Sequence, residues 1–379
     1  MATPKETLWE MEPHTKAKHD ILGWYLSAWF SILSTPYNRT RHSRSRIVYI
    51  DGFCGPGRYK AGEPGSPLIA LKAALNALNH RKTTPDEMPD KVVFWFMDER
   101  QDRIEHLKQE LENVTTPAHF EVISETGRFD EKFGAMLDHF EKSNDSIGPT
   151  FAFIDPFGFS GIPFSLIERL LKFKRCEVFI TFMVDAINRF LKHPEDKVVQ
   201  HIAEAFSMDE AISIAKGTGN RVVQLRELYQ SKLNGVAQYV RYFEMRNQQD
   251  RTQYYLFFAS NHKLGHLKMK EAMWKMDPDG EFKFSDATNP NQMFLFGTDT
   301  TSTLLDQMRA KFGGAGVVDC SDVRRFVEVE TPYLSKHMNA ALKQEEVRDG
   351  IAVEELQSNG KKRKKNTYPD KVRFRFVDK

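Results

Sequence analysis

The chain has few cysteines, no long apolar run and almost no net charge. Its three cysteines, Cys54, Cys176 and Cys320, are odd in number and widely spaced, which argues against a disulfide framework and a cysteine-based zinc site. No window approaches the ~18 consecutive apolar residues of a membrane-spanning helix. The N-terminal segment MATPKETLWEMEPHTKAKHD also lacks the apolar core of a signal peptide. We expect a soluble protein in a reducing, cytoplasmic setting.

The charge balance excludes a globally polybasic protein. Lys and Arg together number 54, against 52 Asp and Glu, among 379 residues. Any surface that binds nucleic acid must therefore be local. A hydrophobic content of 40%, including 29 Phe, is enough for a sizeable core, and the length suggests two or three domains.

Apolar segments alternate with amphipathic helical segments through the first two thirds of the chain. The apolar segments are IVYIDGF, KVVFWFMDE, FEVIS, TFAFIDPF and CEVFITFMV. Uniformly apolar strands that alternate with helices are typical of a parallel sheet covered on both faces, so we predict a doubly wound α/β fold. The later runs QYVRYFEMRN and TQYYLFFAS are separated only by QQDR, which predicts a hairpin and an antiparallel last strand.

Composition divides the chain into three predicted segments. Residues 1–46 form a helix and a basic loop, residues 47–297 form the α/β domain, and residues 298–379 follow a Pro/Asn/Gly/Thr-rich stretch. The last segment reads helix, helix, helix, hairpin, which is the order of a winged helix.

A run of cationic residues lies at the tip of this last hairpin. Such a turn could present its charges to the phosphates of a nucleic acid. The alternative is a solvated loop on a protein-interaction module, because charge runs are usually solvated. The run consists of Lys361, Lys362, Arg363, Lys364 and Lys365.

The loop DGFCGPG after the first strand is the first candidate binding site. Asp51 ends the strand, and Gly55 and Gly57 would let the backbone approach a ligand at the start of the next helix. The dinucleotide pattern G-x-G-x-x-G is absent because Lys60 occupies the third glycine position. Asp98, at the end of the second strand, stands where ribose hydroxyls are bound in Rossmann-like folds. Together these residues favour a nucleoside-containing cofactor over a merely tight turn and a solvated acid.

The same stretch contains a second glycine signal. Gly65, Ser66 and Pro67 are predicted to end an inserted loop and to begin the next helix. The inserted residues include Arg58, Tyr59 and Lys60. They predict a flap over the cofactor or a substrate contact, and otherwise a spacer.

The second candidate site is the motif FIDPFGFSG at the end of a strongly apolar strand. The carboxylate of Asp155 and the carbonyl of Pro156 could accept hydrogen bonds from an exocyclic amine, while Phe157 stacks on the base. The competing interpretation is an Asp-Pro turn with core phenylalanines. Asp185, Asn188 and Arg189 follow the next strand and are weaker candidates for substrate contacts, against helix capping by Asp185.

Four segments together resemble the three-Cys-motif partner protein family. They are YIDGFCGPGRYKAGEPGSPLIAL, FIDPFGFSGIP, VFITFMVDAINRF and YYLFFASNHKLGHLKMKEAMWKMDP. The resemblance covers most of the chain up to about Pro278. It implies a functional partner with a three-cysteine, radical-SAM-like motif, and a class I methyltransferase variant of the Rossmann-like fold.

A more distant resemblance is to bacterial large-subunit ribosomal RNA adenine-N6 methyltransferases. The matching positions, in order, are Lys18 with His19, Gly55, Gly57, Pro64 to Ala70, Asp98, and Asp155 with Pro156. The resemblance implies S-adenosylmethionine as cofactor and a base amine in DNA or RNA as target. Phe157 and Gly158 depart from the family, which has a second proline and then an aromatic residue. The alternative is therefore a non-enzymatic adaptor that recruits the partner to nucleic acid.

Overall fold

We describe the fold from a computed structural model, which consists of two compact units. The first unit comprises Met1–Met276 and Lys283–Asn289, and the second comprises Asp277–Phe282 and Pro290–Lys379. The basic loop expected before residue 46, Gly158 and the expected boundary at Gly297 lie outside the described residues. The structure describes residues 5–34, 46–79, 89–157, 162–191, 210–287 and 300–377.

The first unit alternates strands and helices as the sequence predicts. Its helices are α1 (Pro13–Leu33), α2 (Ser66–Asn79), α3 (Gln101–Glu112), α4 (Phe129–Ser143), α5 (Phe164–Lys172), α6 (Val184–Phe190), α7 (Glu210–Lys216), α8 (Arg221–Val236) and α9 (Lys263–Met276). Its strands are β1 (Arg46–Asp51), β2 (Lys91–Asp98), β3 (Phe120–Thr126), β4 (Thr150–Ile154), β5 (Cys176–Phe182), β6 (Tyr239–Arg246), β7 (Thr252–Ser260) and β8 (Lys283–Ser285).

These strands form one sheet in the order β3-β2-β1-β4-β5-β7-β6-β8. The first five are parallel to one another, whereas β7 runs antiparallel to both β5 and β6. The predicted α/β class, the hairpin and the antiparallel strand are thus confirmed. A mostly parallel sheet with this strand order matches the class I methyltransferase fold. Strand β8, which the sequence pattern does not predict, pairs in parallel with β6.

Both faces of the sheet are covered, which explains why its central strands are largely apolar. Every residue of β4 and β5 is buried. On one face, Phe133, Leu170 and Tyr229 bring α4, α5 and α8 into a shared apolar core with the strands. On the other face, α1 places Tyr25 5.1 Å from Phe151, measured between ring centroids. The helices leave the carboxyl ends of the strands as the edge where loops converge.

The second unit has its own core. It contains α10 (Thr300–Phe312), α11 (Cys320–Val329) and α12 (Ser335–Val347), together with a three-stranded antiparallel sheet. That sheet has the order β10-β11-β9, and its buried core includes Leu304, Met308, Val323, Leu342 and Phe374. The strands are β9 (Val318–Asp319), β10 (Ile351–Val353) and β11 (Arg373–Phe376).

Three further observations concern the cysteines, metal binding and membrane-spanning helices. The three cysteines are buried free thiols. Within the described part of the chain, no group of three or more His, Cys, Asp or Glu side chains is arranged to hold a metal ion. In that same part, a helix combining the length and the apolar character required to cross a membrane is not found.

Candidate active site at the carboxyl edge of the sheet

The predicted site residues of the first unit converge because their strands are neighbours. Asp51 lies in register with Phe96 of β2 and Phe153 of β4, so the three strands end at the same edge. The glycine loop leaves β1 there, Asp98 ends β2, and Asp155 directly follows β4. Such edges hold the ligands of doubly wound folds.

The two glycines of the loop have different environments. Both have positive φ, +62° at Gly55 and +84° at Gly57, which side chains disfavour. A Cβ on Gly57 would lie 2.8 Å from Leu107 of α3, so this glycine permits close packing of the loop on the helix. Gly55 instead faces the Trp9 indole and donates its N–H to Asp98 Oδ2 at 3.2 Å.

Asp98 is almost enclosed by the protein. Its side chain is 5% exposed and its Oδ1 accepts from the Arg100 N–H at 2.9 Å. The Arg103 guanidinium lies 3.5 Å from Oδ2, the oxygen that also accepts from Gly55. The acid therefore joins the glycine loop to the first turn of α3.

Asp51 lies beneath this loop. It is fully buried, and it accepts from the Tyr49 hydroxyl and the Phe53 N–H, each at 3.4 Å. Burial raises the pKa of Asp51 to about 7, although its hydrogen bonds, the one from Ser66 foremost, oppose the shift. Asp51 thus anchors the start of the glycine loop through the Phe53 N–H.

The inserted loop folds back on itself and directs its side chains to different places. Arg58 forms an ion pair with Glu110 of α3 and donates to the Gly62 carbonyl at 2.9 Å. The centroid of the Tyr59 ring lies 5.7 Å from the ring centroid of His19 and 5.7 Å from that of Trp9. Tyr59 is thus among the site residues, whereas Arg58 fastens the loop.

Helix α1 brings Lys18 to the Asp-Pro-Phe motif. The Lys18 ammonium donates to Asp155 Oδ2, and the Thr181 hydroxyl of β5 donates to Oδ1 at 2.5 Å. Lys18 is 7% exposed and Asp155 19% exposed at their side chains, so the pair is largely shielded from solvent. Both carboxylate oxygens of Asp155 consequently have a partner within the protein.

His19, the neighbour of Lys18, is a buried neutral side chain. Its imidazole Nδ1 has no hydrogen-bond partner among the described residues. Burial, together with the positive charge of Lys18, lowers the pKa of His19 to about 3. At neutral pH, His19 therefore places an uncharged ring beside Tyr59.

Phe157 belongs to an aromatic cluster that the sequence did not reveal. Its ring lies 5.4 Å from that of Trp9, and the Arg103 guanidinium carbon lies 4.8 Å from the Trp9 centroid and 5.1 Å from that of Phe157.

Sequence reasoning also missed three of these residues. Thr181 could have been inferred from strand pairing, because Ile154 is in register with Ile180 and the next residues face each other. Arg103 stands in the first turn after Asp98, which is a weak signal. An isolated tryptophan in a polar segment, such as Trp9, carries no signal that would place it here.

The remaining predicted site residues lie on α6 and in the second unit. Arg189 pairs with Asp185 at 3.2 Å on the surface of α6, and Asn188 has a buried amide oxygen without a hydrogen-bond partner among the described residues. The cationic run belongs to the second unit. There Lys361, Lys362, Lys364 and Lys365 are exposed, whereas Arg363 is ion-paired with Glu346 of α12.

Comparison with known proteins gives matches among solved structures. No family model matches the chain, and no curated protein sequence does. Trm1 from Pyrococcus horikoshii, in complex with S-adenosyl-L-methionine, shares 13% identity at a TM-score of 0.35, over 73% of this chain and 62% of that chain. The human methyltransferase 10 domain containing protein shares 13% identity at a TM-score of 0.29, over 64% of this chain and 82% of that chain.

A third similar structure is a putative methyltransferase from Porphyromonas gingivalis W83. It shares 11% identity at a TM-score of 0.27, over 61% of this chain and 41% of that chain. The chain therefore spans less than two thirds of both this protein and the archaeal Trm1. These likenesses concern the fold, which the strand order already identifies.

Proposed function

We propose that this protein is an S-adenosylmethionine-dependent methyltransferase that acts on nucleic acid. The observation that carries the proposal is the contact between Gly55 and Asp98, which joins the glycine loop to the acid after β2 within a class I strand order. A left-handed glycine and a carboxylate at this edge fit the amino acid and ribose parts of that cofactor. Gly55 would line the cofactor, Asp98 would accept from its ribose hydroxyls, and Gly57 and Asp51 would support the loop.

The chemistry of transfer would fall to Asp155, Pro156 and Phe157. The bound cofactor supplies an electrophilic methyl group. Asp155 and the Pro156 carbonyl would accept hydrogen bonds from the target amine and thereby orient its lone pair, while Phe157 would stack on the base. Lys18 and Thr181 fix the Asp155 carboxylate, so that its position does not depend on substrate.

In this proposal the second unit would bind the nucleic acid. We interpret its three helices and antiparallel sheet as a winged helix, with the four exposed lysines near its hairpin tip directed to phosphates. A target base within a duplex would have to leave the stack before it could reach Asp155. The resemblance to the three-Cys-motif partner family adds a radical-SAM-like protein as the proposed partner.

One observation favours the alternative of a non-enzymatic adaptor. Both oxygens of Asp155 are already engaged by Lys18 and Thr181, and Phe157 stands where related enzymes have a second proline. An adaptor would keep the fold and the nucleic-acid surface, and would recruit the partner without transferring a methyl group.

Isothermal titration with S-adenosylmethionine tests the cofactor. We expect Asp98→Asn to weaken binding about tenfold or more, because hydrogen bonds to charged groups contribute roughly 1.5–3 kcal/mol each. Glu99→Gln, which changes the adjacent exposed acid, is the matched control and should bind like the wild type. Equal affinity of all three proteins would show that Asp98 does not hold the cofactor.

Transfer of a labelled methyl group to bulk DNA or RNA separates the enzyme from the adaptor. We expect wild-type protein to label nucleic acid, and Asp155→Asn to lose that activity while it retains cofactor binding. Cofactor binding without labelling, in the presence of the radical-SAM-like partner, would instead support the adaptor.

A further inference from the structure

The segment that precedes α1 crosses the carboxyl edge of the sheet, and we name residues 5–12 the N-terminal strap. Two hydrogen bonds attach it to the start of α3: Thr7 Oγ1 donates to Asp102 at 2.5 Å, and Arg100 donates to the Lys5 carbonyl at 2.9 Å. A third attaches it to the inserted loop, where the Lys60 N–H donates to the Trp9 carbonyl at 2.9 Å. The strap is therefore held at the loops that surround the proposed cofactor site.

Trp9 fills the space in front of the glycine loop. A Cβ built on Gly55 would lie 3.4 Å from Trp9 Cη2, which is ordinary contact distance. Since carbon atoms in contact lie roughly 3.5–4.0 Å apart, no ligand atom fits between Gly55 and the indole. The same ring contacts Tyr59 and Phe157, so the indole occupies the space between the two candidate motifs.

The proposed ribose acceptor is covered in the same way. Asp98 is 5% exposed, and its oxygens accept from Gly55 and Arg100 and contact Arg103. The guanidinium of Arg103 is 2% exposed and lies against the Trp9 ring. The indole and the guanidinium together close the route by which ribose hydroxyls would reach Asp98.

We propose that the N-terminal strap is a closing element in which Trp9 and the adenosyl cofactor compete for one place, so that binding requires the strap to lift. This inference rests on the proposed function for the identity of the ligand. The strap is attached by these three hydrogen bonds, by an ion pair between Lys60 Nζ and Glu10 Oε1 at 3.9 Å, and by the contacts of the Trp9 ring. A small number of contacts at partly exposed residues is typical of segments that open locally. If the open form is a minor population, the apparent affinity of the wild type falls by that fraction.

Titration with S-adenosylmethionine and amide hydrogen exchange test the strap together. We expect Trp9→Ala to lower Kd by about tenfold or more, because the open form no longer has to be selected. Glu6→Ala, an exposed change on the same strap, is the matched control and should leave Kd unchanged. Circular dichroism verifies that each variant is folded.

Hydrogen exchange gives the direction of strap movement. The Lys60 amide, which donates to Trp9, should exchange faster in Trp9→Ala than in Glu6→Ala without ligand. Addition of S-adenosylmethionine to the wild type should accelerate this exchange, because binding lifts the strap.

The outcomes distinguish failure of the strap proposal from failure of the cofactor proposal. Weaker or equal binding by Trp9→Ala, with the Lys60 amide slowed by ligand, would make Trp9 a wall of a preformed site and overturn the strap proposal alone. Absence of binding by both the wild type and folded Trp9→Ala would overturn both the cofactor and the strap. Binding by Trp9→Ala but not by the wild type would support both.

Discussion

At the scale of residues, two glycines of one motif carry out different tasks. The sequence presents Gly55 and Gly57 as equivalent parts of a Gly-x-Gly signal. In the structure only Gly55 faces the candidate site, whereas Gly57 allows the loop to approach Leu107. Glycine at position 57 therefore serves the packing of the loop, whereas Gly55 lies against Trp9 and donates to Asp98.

We expect Gly57→Ala to reduce the free energy of unfolding by about 3 kcal/mol, from left-handed strain and steric conflict with Leu107. Gly62→Ala is the matched control, because Gly62 has a φ of +94° and nothing within 4 Å of its Cβ position. It should cost only the backbone strain, about 1 kcal/mol. Urea unfolding measures both, and equal losses would show that Leu107 moves aside.

His19 gives the first unit a stability that depends on pH. Its folded pKa of about 3 lies below the ordinary value of about 6.5, so the unfolded state binds the proton more readily. The contribution of neutral His19 is present above pH ~6.5 and is lost progressively as the pH falls toward ~3.

We expect the free energy of unfolding of wild type, relative to His19→Asn, to fall by about 2 kcal/mol between pH ~7.5 and pH ~5. The raised pKa of Asp51 produces the opposite slope over part of this range, but it is present in both proteins and cancels in the difference. Urea unfolding at several pH values provides the measurement. A difference that does not change with pH would mean that the His19 ring is solvated.

At the scale of elements, the cationic residues at the hairpin tip of the second unit have two environments: Arg363 is ion-paired, and the four lysines are exposed. Arg363 donates to Glu346 of α12, and the hydroxyl of Tyr368 donates to the same carboxylate at 2.5 Å. The hydrogen bond from Arg363, opposed in part by burial, lowers the pKa of Glu346. These hydrogen bonds hold the tip against the helix, and the four lysines remain exposed.

We expect replacement of the four lysines by glutamine to reduce the salt dependence of duplex DNA binding. The slope of log Kd against log salt should fall by up to about 3.6, at roughly 0.9 for each phosphate contact. Arg363→Gln is the control, which should lower the melting temperature and leave the slope near that of the wild type. An unchanged slope in the four-lysine variant would indicate a solvated loop.

At the scale of the whole molecule, the chain forms two compact units, each with buried apolar side chains. All five tryptophans, Trp9, Trp24, Trp29, Trp95 and Trp274, fall within the first unit. Tryptophan fluorescence therefore reports the first unit, whereas far-ultraviolet circular dichroism reports both.

We expect Phe374→Ala to destabilise the second unit by about 3–5 kcal/mol, because a fully buried ring is replaced by a cavity. Circular dichroism should then show an earlier urea transition, while the fluorescence midpoint stays unchanged. Phe94→Ala, at a fully buried ring of the first unit, should shift the fluorescence midpoint instead. A fluorescence shift caused by Phe374→Ala would mean that the units unfold cooperatively.

The sequence by itself determined the class of fold and the edge at which the candidate residues meet. Largely apolar β4 and β5 need helices on both faces of the sheet, and QQDR leaves β6 and β7 no option but a hairpin. The carboxyl ends of parallel strands lie at the same edge of a sheet. Asp98 and Asp155 therefore lie at one edge, because each stands at the carboxyl end of such a strand.

Only the tertiary structure decided which atoms meet there. Lys18 reaches Asp155 across 137 positions of sequence, and Trp9 reaches Gly55 because the strap is bound to α3 and to Lys60. Periodicity records which face of an element is apolar, but it carries no information on long-range pairing between single side chains. Those pairings, and with them the closed state of the site, depend on how the helices pack across the sheet.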